Sequence, residues 1–224
     1  MVDGMGNGRV SAARQRGTNR RQLTAKGRAT RERIVAAASR LMLDRGIGRT
    51  TVADVQAEAA VSPSQLYHYF ADKQALVYAV IELQTNEVLG FQDRTLRGLD
   101  SFTALEAWRD ELVELQRQRN NLGGCPIGTL AGELSENEEY ARSELAESFA
   151  RWEALLRRGI AAMRDRGELR ADVDPEPLAL GLLAAVQGGL LLSQTRRDTA
   201  PLAIAIDLAI AHLRTLRPAQ PAGQ

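Results

Sequence analysis

Residues 50–73, TTVADVQAEAAVSPSQLYHYFADK, decide the fold. Thr51 and Asp54 stand at T-x-x-D spacing, and Ser62 and Gln65 at S-x-x-Q spacing. Both are capping-box patterns, in which the N-cap hydroxyl accepts from the N3 amide while the N3 side chain accepts from the N-cap amide. Each pattern starts a helix. Pro63 follows Ser62 at the first helical position, where its missing N–H costs nothing. Val52, Val55 and Ala59 turn inward on the first helix; Leu66 and Phe70, at i and i+4, hold the second against a core. Ala60-Val61 is left for the turn, so the stretch predicts two short capped helices with a tight turn, the second only about two turns long.

The face left outward on the second helix is Ser64, Gln65, Tyr67 and His68. Hydrogen-bonding side chains at the front of a short exposed helix suit a reader of the DNA major groove, where glutamine pairs with adenine and Ser64 meets a base or a phosphate. Tyr67 and His68 lie further along, towards flanking phosphates. Lys73 opens the next helix, with Asp72 as its N-cap, and adds its charge to that helix's positive end. Thr50 and Thr51 play the same part at the first helix. Two capped helices with a short turn also occur in proteins that never touch DNA, so spacing alone leaves both readings open.

Charge adds to the DNA reading. Arg9, Arg14, Arg16, Arg20, Arg21, Lys26, Arg28, Arg31 and Arg33 stand against Asp3 and Glu32, a net +7 over residues 1–33. The chain's net charge is +1, so the remainder carries −6. A basic arm on an acidic body either meets a polyanion or is a solvated tail. Residues 1–24 are rich in Gly, Arg, Asn and Ser without periodicity and read as a disordered arm; residues 218–224 read as a disordered tail.

Everything between is expected to be helical, an all-α fold. Ile34, Ala38, Leu41 and Met42 recur at helical spacing before a stop at Gly46, and Leu76, Val77, Val80 and Ile81 mark another helix. Further helices are expected at about 101–120, 137–166, 175–196 and 200–216, with Gly167 ending one and Asp174-Pro175 starting the next. With 224 residues, 44% of them hydrophobic and 25% charged, the chain is long enough to bury a real core. The lone Cys125 excludes an intrachain disulfide and fits a reducing cytoplasm. The start is polar and basic, unlike a secretion signal, and the apolar stretch from Leu178 to Leu192 is interrupted by Gln187, so no membrane insertion is expected.

The motif residues resemble a known family. Gly48-Arg49-Thr50-Thr51-Val52-Ala53-Asp54-Val55, Ala59-Ala60-Val61-Ser62 and Leu66-Tyr67-His68-Tyr69-Phe70-Ala71-Asp72-Lys73-Gln74-Ala75-Leu76 closely resemble the DNA-binding domain of the TetR (tetracycline-repressor), AcrR-like family. The resemblance covers about residues 27–90 and rests most on the Tyr-His-Tyr-Phe block followed by Lys and Leu. It implies a three-helix helix-turn-helix domain over 25–90 and a helical ligand-sensing and dimerisation domain over 91–217. It implies that Tyr67 and Lys73 clamp backbone phosphate, that Ser64, Gln65 and His68 lie at the groove, and that Thr50 and Thr51 anchor the first helix; Ser62 is counted with them as a candidate DNA-binding residue. Many members carry Lys-Gly or Arg-Gly after the turn serine, where this chain has Pro63-Ser64, which removes a cation at the helix start. Over 91–224 the resemblance is weaker; Gly123 to Gly128 and Ala185 to Leu192 look like a subgroup that includes drug- or metabolite-responsive repressors.

In the body, Leu182, Val186 and Leu190, followed by Ile204 and Leu208, are the candidate dimer interface, half of an intersubunit four-helix bundle. A central core helix is the other reading of the same apolar run. Phe102, Trp108, Phe149, Trp152 and Met163 are candidate pocket walls or plain core, and Cys125 a candidate pocket residue, either redox-active with Arg119 lowering its pKa or inert. Gln187 among apolar neighbours needs a partner, whether ligand, water or dimer mate. His68 and His212 are the only histidines, and no phosphate loop, metal-ligand spacing or nucleophile motif is present, so neither enzyme activity, a metal nor a cofactor is expected. The expected function is a sequence-specific DNA-binding regulator, a homodimeric repressor released from a palindromic operator by a small apolar or aromatic ligand. The alternative is a DNA-binding or DNA-organising protein without an inducer.

Overall fold

A computed structural model describes residues 23–219. The expectations for the basic arm through residue 22 and for the tail from residue 220 lie outside these residues. The described residues form nine α-helices and no strand. They are α1 Ala25–Arg45, α2 Val52–Ala59, α3 Pro63–Tyr69, α4 Lys73–Leu96, α5 Phe102–Gln118, α6 Pro126–Leu134, α7 Glu139–Asp165, α8 Pro175–Arg196 and α9 Ala200–Thr215.

Most helix starts follow from local capping chemistry. Thr24, Thr51, Ser62, Asp72, Ser101 and Asp174 each accept from an amide of the first turn. At α2 and α3 both halves of the capping box are formed. Between them Ala60 takes a left-handed conformation, φ +50° and ψ +52°, which costs a non-glycine residue about 1 kcal/mol. Arg33 Nε donates to Ala59 O at 2.9 Å, and a cation at a helix C-terminus is favourable there. Four of the nine basic residues counted with the arm, Lys26, Arg28, Arg31 and Arg33, are thus on α1, where Arg28 donates to Leu23 O, Arg31 lies over the Phe70 ring and Arg33 closes α2.

Helices α1 to α3 pack around Ile34, Ala38, Val55, Ala59, Leu66 and Phe70. Helix α4 then carries the chain without a break from this cluster into the body, packing on α1 at one end and on α7 along its length. The expected boundary at residues 90–91 therefore lies inside a helix, because α4 serves two cores. In the body, α7 and α8 pack together, and α9 lies on α8 and α5. Gly189 makes the α8–α9 crossing possible, since a Cβ there would come 2.8 Å from Leu202 Cα. Helix α8 is long and apolar enough to cross a membrane, yet Ala179, Leu182, Leu183, Val186, Gly189 and Leu190 are packed inside the body.

Candidate nucleic-acid interface and ligand cavity

Helix α3 is held by Leu66 and Phe70, both buried, which leaves Ser64, Gln65, Tyr67 and His68 exposed together on one side. Ser62 Oγ accepts from Gln65 N at 3.2 Å and lies 3.0 Å from Ser64 Oγ. Gln65 Oε1 accepts from Ser62 N at 2.9 Å, so the cap takes its oxygen and leaves its NH2 outward. The Thr51 hydroxyl accepts from Asp54 N and donates to Asp54 Oδ2, and that bond holds the exposed carboxyl below the usual range.

Two residues expected at phosphate are otherwise engaged. Thr50 is 1% exposed, and its hydroxyl donates to Gly46 O at 2.9 Å; the turn after α1 uses it. Lys73 is half-buried, and Nζ donates to Ile47 O at 2.6 Å, which ties the start of α4 to that same turn. Two ammonium hydrogens remain for other partners.

Between α4, α5, α7 and α8 lies a cavity of about 460 Å3. Helix α4 contributes Gln84, Glu87, Val88, Phe91, Gln92 and Arg94. Facing them are Leu112, Leu115 and Gln116 of α5, its C-cap Arg119, the segment Gly124 to Pro126, Trp152 and Leu190. Of the expected wall residues only Cys125 and Trp152 line it. Phe102, Trp108 and Met163 are core residues, buried by packing on all sides, and Phe149 is packed against the core. Gln187 sits behind the wall, its Oε1 close to Gly128 and its buried Nε2 without a partner among the described residues. The missed polar residues that are buried in the wall are glutamines, Gln84, Gln92 and Gln116. Gln84, Val88 and Gln92 recur at i, i+4, i+8 on α4, so the sequence signal was two amides on a stripe that is otherwise apolar.

Cys125 caps α6, with Sγ accepting from Gly128 N at 3.4 Å. Burial pushes its thiol pKa up, against the expectation that Arg119 lowers it, so the neutral thiol is the favoured form. The other end of α6 reaches the reading domain. Glu133 Oε2 accepts from Ile47 N at 2.8 Å, beside Gly46 at φ +87°. Two more joints cross the same boundary: Gln84 Nε2 donates to Ser39 Oγ at 2.9 Å, and Gln74 Nε2 to Glu138 Oε2 at 2.7 Å.

Residues 34–80 match the family model described as bacterial regulatory proteins, tetR family, and residues 102–209 match the tetracyclin repressor-like C-terminal domain. The chain belongs to the TetR family of transcriptional regulators. It is 28% identical over 176 residues to an HTH-type transcriptional regulator from the lacX 3′ region of Lactococcus lactis subsp. lactis, covering 76% of this chain and 86% of that one. It is 26% identical over 174 residues to the HTH-type transcriptional repressor DhaR of Mycobacterium sp. (strain GP1), covering 77% and 86%. A TetR transcriptional regulator from Chloroflexus aurantiacus J-10-FL shares the fold at a TM-score of 0.74 and 24% identity, over 87% of this chain and 98% of that one. As a TetR-family regulator the chain is a DNA-binding protein, with the helix-turn-helix of α2 and α3 as its reading element.

Proposed function

We propose that this TetR-family chain is a ligand-responsive repressor acting in the cytoplasm. Two copies bind a roughly palindromic operator and let it go when a small molecule fills the cavity. The observation that carries this reading is α6: its cap Cys125 and first residue Pro126 wall the cavity, and Glu133 at its far end holds the Ile47 amide in the reading domain. A ligand that repositions Gly124 to Pro126 thereby shifts the turn on which α2 and Lys73 rest, a population shift between two dimer shapes. DhaR, similar over most of its length, is a repressor by name.

On the DNA side, Ser64 and Gln65 read base edges, Tyr67 and His68 meet the flanking phosphates, and Thr51, Ser62 and Lys73 set the register of the motif. The dimer forms through the outward faces of α8 and α9, where Leu180, Leu191, Leu192, Ile204 and Leu208 are exposed. Leu182, Val186 and Leu190 were expected on that face; they point into the protomer, because α8 must fill the body with one side before it can offer the other. Two apolar ridges side by side suit an isologous contact with a second copy.

The test is a footprint of the full chain on the DNA upstream of its own gene, with and without small molecules. Two protected half-sites about one helical turn apart, released on adding a cavity ligand, are the expected result. A single asymmetric footprint, or protection that no cavity-binding compound relieves, sinks the dimeric or the ligand-responsive half respectively.

A further inference from the structure

Three buried glutamines line the cavity, and two of them are fixed in opposite orientations. Gln92 is 2% exposed, and its Oε1 accepts from the Trp108 indole N–H at 3.0 Å. That bond decides which way the amide points. Its NH2 is left without a protein partner among the described residues. Gln84 is 6% exposed and held the other way: its NH2 donates to Ser39 Oγ and to Glu87 Oε2, each at 2.9 Å. Its Oε1 is left as an acceptor. Gln116, 4% exposed across the cavity on α5, makes no side-chain hydrogen bond among the described residues, so its amide is free to turn either way.

Gln84 and Gln92 are eight residues apart on α4, roughly 12 Å along the helix axis at about 1.5 Å per residue. Between them the wall is Val88 and Phe91, faced by Leu112, Leu115 and Trp152. An amide atom that loses water without gaining a partner costs free energy, so a ligand that fills the cavity must present a matching atom to each free end. The charged groups of the lining, Glu87, Arg94 and Arg119, are all exposed, and the Glu87 carboxylate already accepts from Gln84 Nε2. The deep polar groups are neutral, the three amides and the Trp152 indole N–H, which is buried without a partner among the described residues, and neutral groups do not offset the desolvation of an ion.

Resting on the reading of this cavity as the ligand site, we propose that it selects an uncharged, mainly apolar molecule that is polar at both ends. A carbonyl-type oxygen accepts from Gln92 Nε2, and a hydroxyl or N–H at the far end donates to Gln84 Oε1. Gln116 adapts to whatever polar atom lies between. The flat apolar middle packs against Phe91 and Trp152.

A matched set of rigid probes tests this by tryptophan fluorescence, since Trp152 lines the cavity and Trp108 holds Gln92. 4-(4-Hydroxyphenyl)cyclohexanone carries both polar ends, 4-cyclohexylphenol lacks the acceptor, 4-(4-methoxyphenyl)cyclohexanone lacks the donor, and 4-cyclohexylbenzoate carries a charge. The wild-type full chain should bind the first about tenfold more tightly than each of the other three, as expected for one missing hydrogen bond or one buried charge. Gln92→Met should bind the hydroxyketone and 4-cyclohexylphenol within about twofold of each other, yet still discriminate against the methyl ether. Should Gln92→Met fail to fold, Gln84→Met serves: it removes the acceptor at the other end, so the hydroxyketone and the methyl ether should bind within about twofold of each other while 4-cyclohexylphenol is still bound more weakly. Equal binding of the hydroxyketone and 4-cyclohexylphenol by wild type, or tighter binding of the benzoate, overturns the polarity assignment and leaves the cavity as a ligand site. If none of the four changes the fluorescence, the ligand-site reading falls together with this one.

Discussion

Gln65 spends its oxygen on the Ser62 cap and keeps its NH2 outward, so two substitutions separate its roles. Gln65→Glu retains an acceptor for Ser62 N but loses the donor that adenine would need; it should keep the wild-type melting temperature and relax operator preference at one position, at a cost of about 1–3 kcal/mol on the cognate site. Gln65→Ala should add a loss of about 1 kcal/mol in stability. Affinities over a single-base-substituted operator series, read beside thermal melts, decide this; an unchanged preference in both variants would leave Gln65 a cap alone. Cys125 gives a second check at this scale. Its pKa is raised in the folded chain by burial, so the unfolded state loses the thiol proton first as pH rises. Stability contributed by the buried thiol is therefore full below the ordinary thiol pKa of about 8.5 and declines above it. Iodoacetamide at pH 8 should label the folded chain far more slowly than the urea-unfolded chain. Fast labelling of the folded chain would revive the reactive-thiol reading.

Helices whose starts carry a hydroxyl or carboxylate at cap spacing were legible in the sequence, because capping is a contact among four neighbouring residues. Helices α2, α3, α4 and α8 begin where Thr51, Ser62, Asp72 and Asp174-Pro175 predicted, and α9 begins at residue 200 as its apolar spacing predicted, without a side-chain cap from Thr199. Helix α6 was not foreseen: it has nine residues, contains Gly128 and Gly132, and is capped by a thiol, which has no strong cap signature. The cavity was hidden for a different reason. Aromatic residues were expected to wall it, yet which of them fill the core depends on how four helices converge, and Trp108 ended beneath the wall as the support for Gln92. The joint at the end of α6 was hidden likewise, since Glu133 and Ile47 are 86 residues apart. That joint carries a prediction. Glu133→Ala should remove about 1–3 kcal/mol by leaving the part-buried Ile47 amide unpaired, and should speed hydrogen exchange at that amide. Operator affinity should fall with the recognition helix untouched. Wild-type exchange at Ile47 would mean that α6 does not hold the reading domain.

At the scale of the whole molecule, the proposed dimer sets what DNA the protein would read, and burial corrects which residue tests it. Leu190 is 4% exposed, so Leu190→Asp would put a charge into the protomer core and abolish binding by unfolding alone. Leu208 is 67% exposed on α9 and touches little within its own protomer. In a dimer built on the outer faces of α8 and α9, two copies of Leu208→Asp place carboxylates in an apolar contact, where burying each unpaired costs several kcal/mol. The variant should therefore sediment as a monomer with a helical circular dichroism spectrum and monomer fold like wild type. Its operator affinity should fall steeply, because a single reading head contacts one half-site only. Its weak binding to unrelated DNA should persist, since phosphate contacts and the basic residues near the N-terminus act in each copy separately. The salt dependence separates these two contributions: deleting residues 1–22 removes five arginines and should flatten the slope of log affinity against log salt by roughly 0.9 for each phosphate that the shortened chain no longer neutralises, in dimer and monomer alike. A Leu208→Asp chain that remains a dimer in sedimentation would move the interface away from α9. One that becomes a monomer yet protects both half-sites would show that operator binding needs no preformed pair.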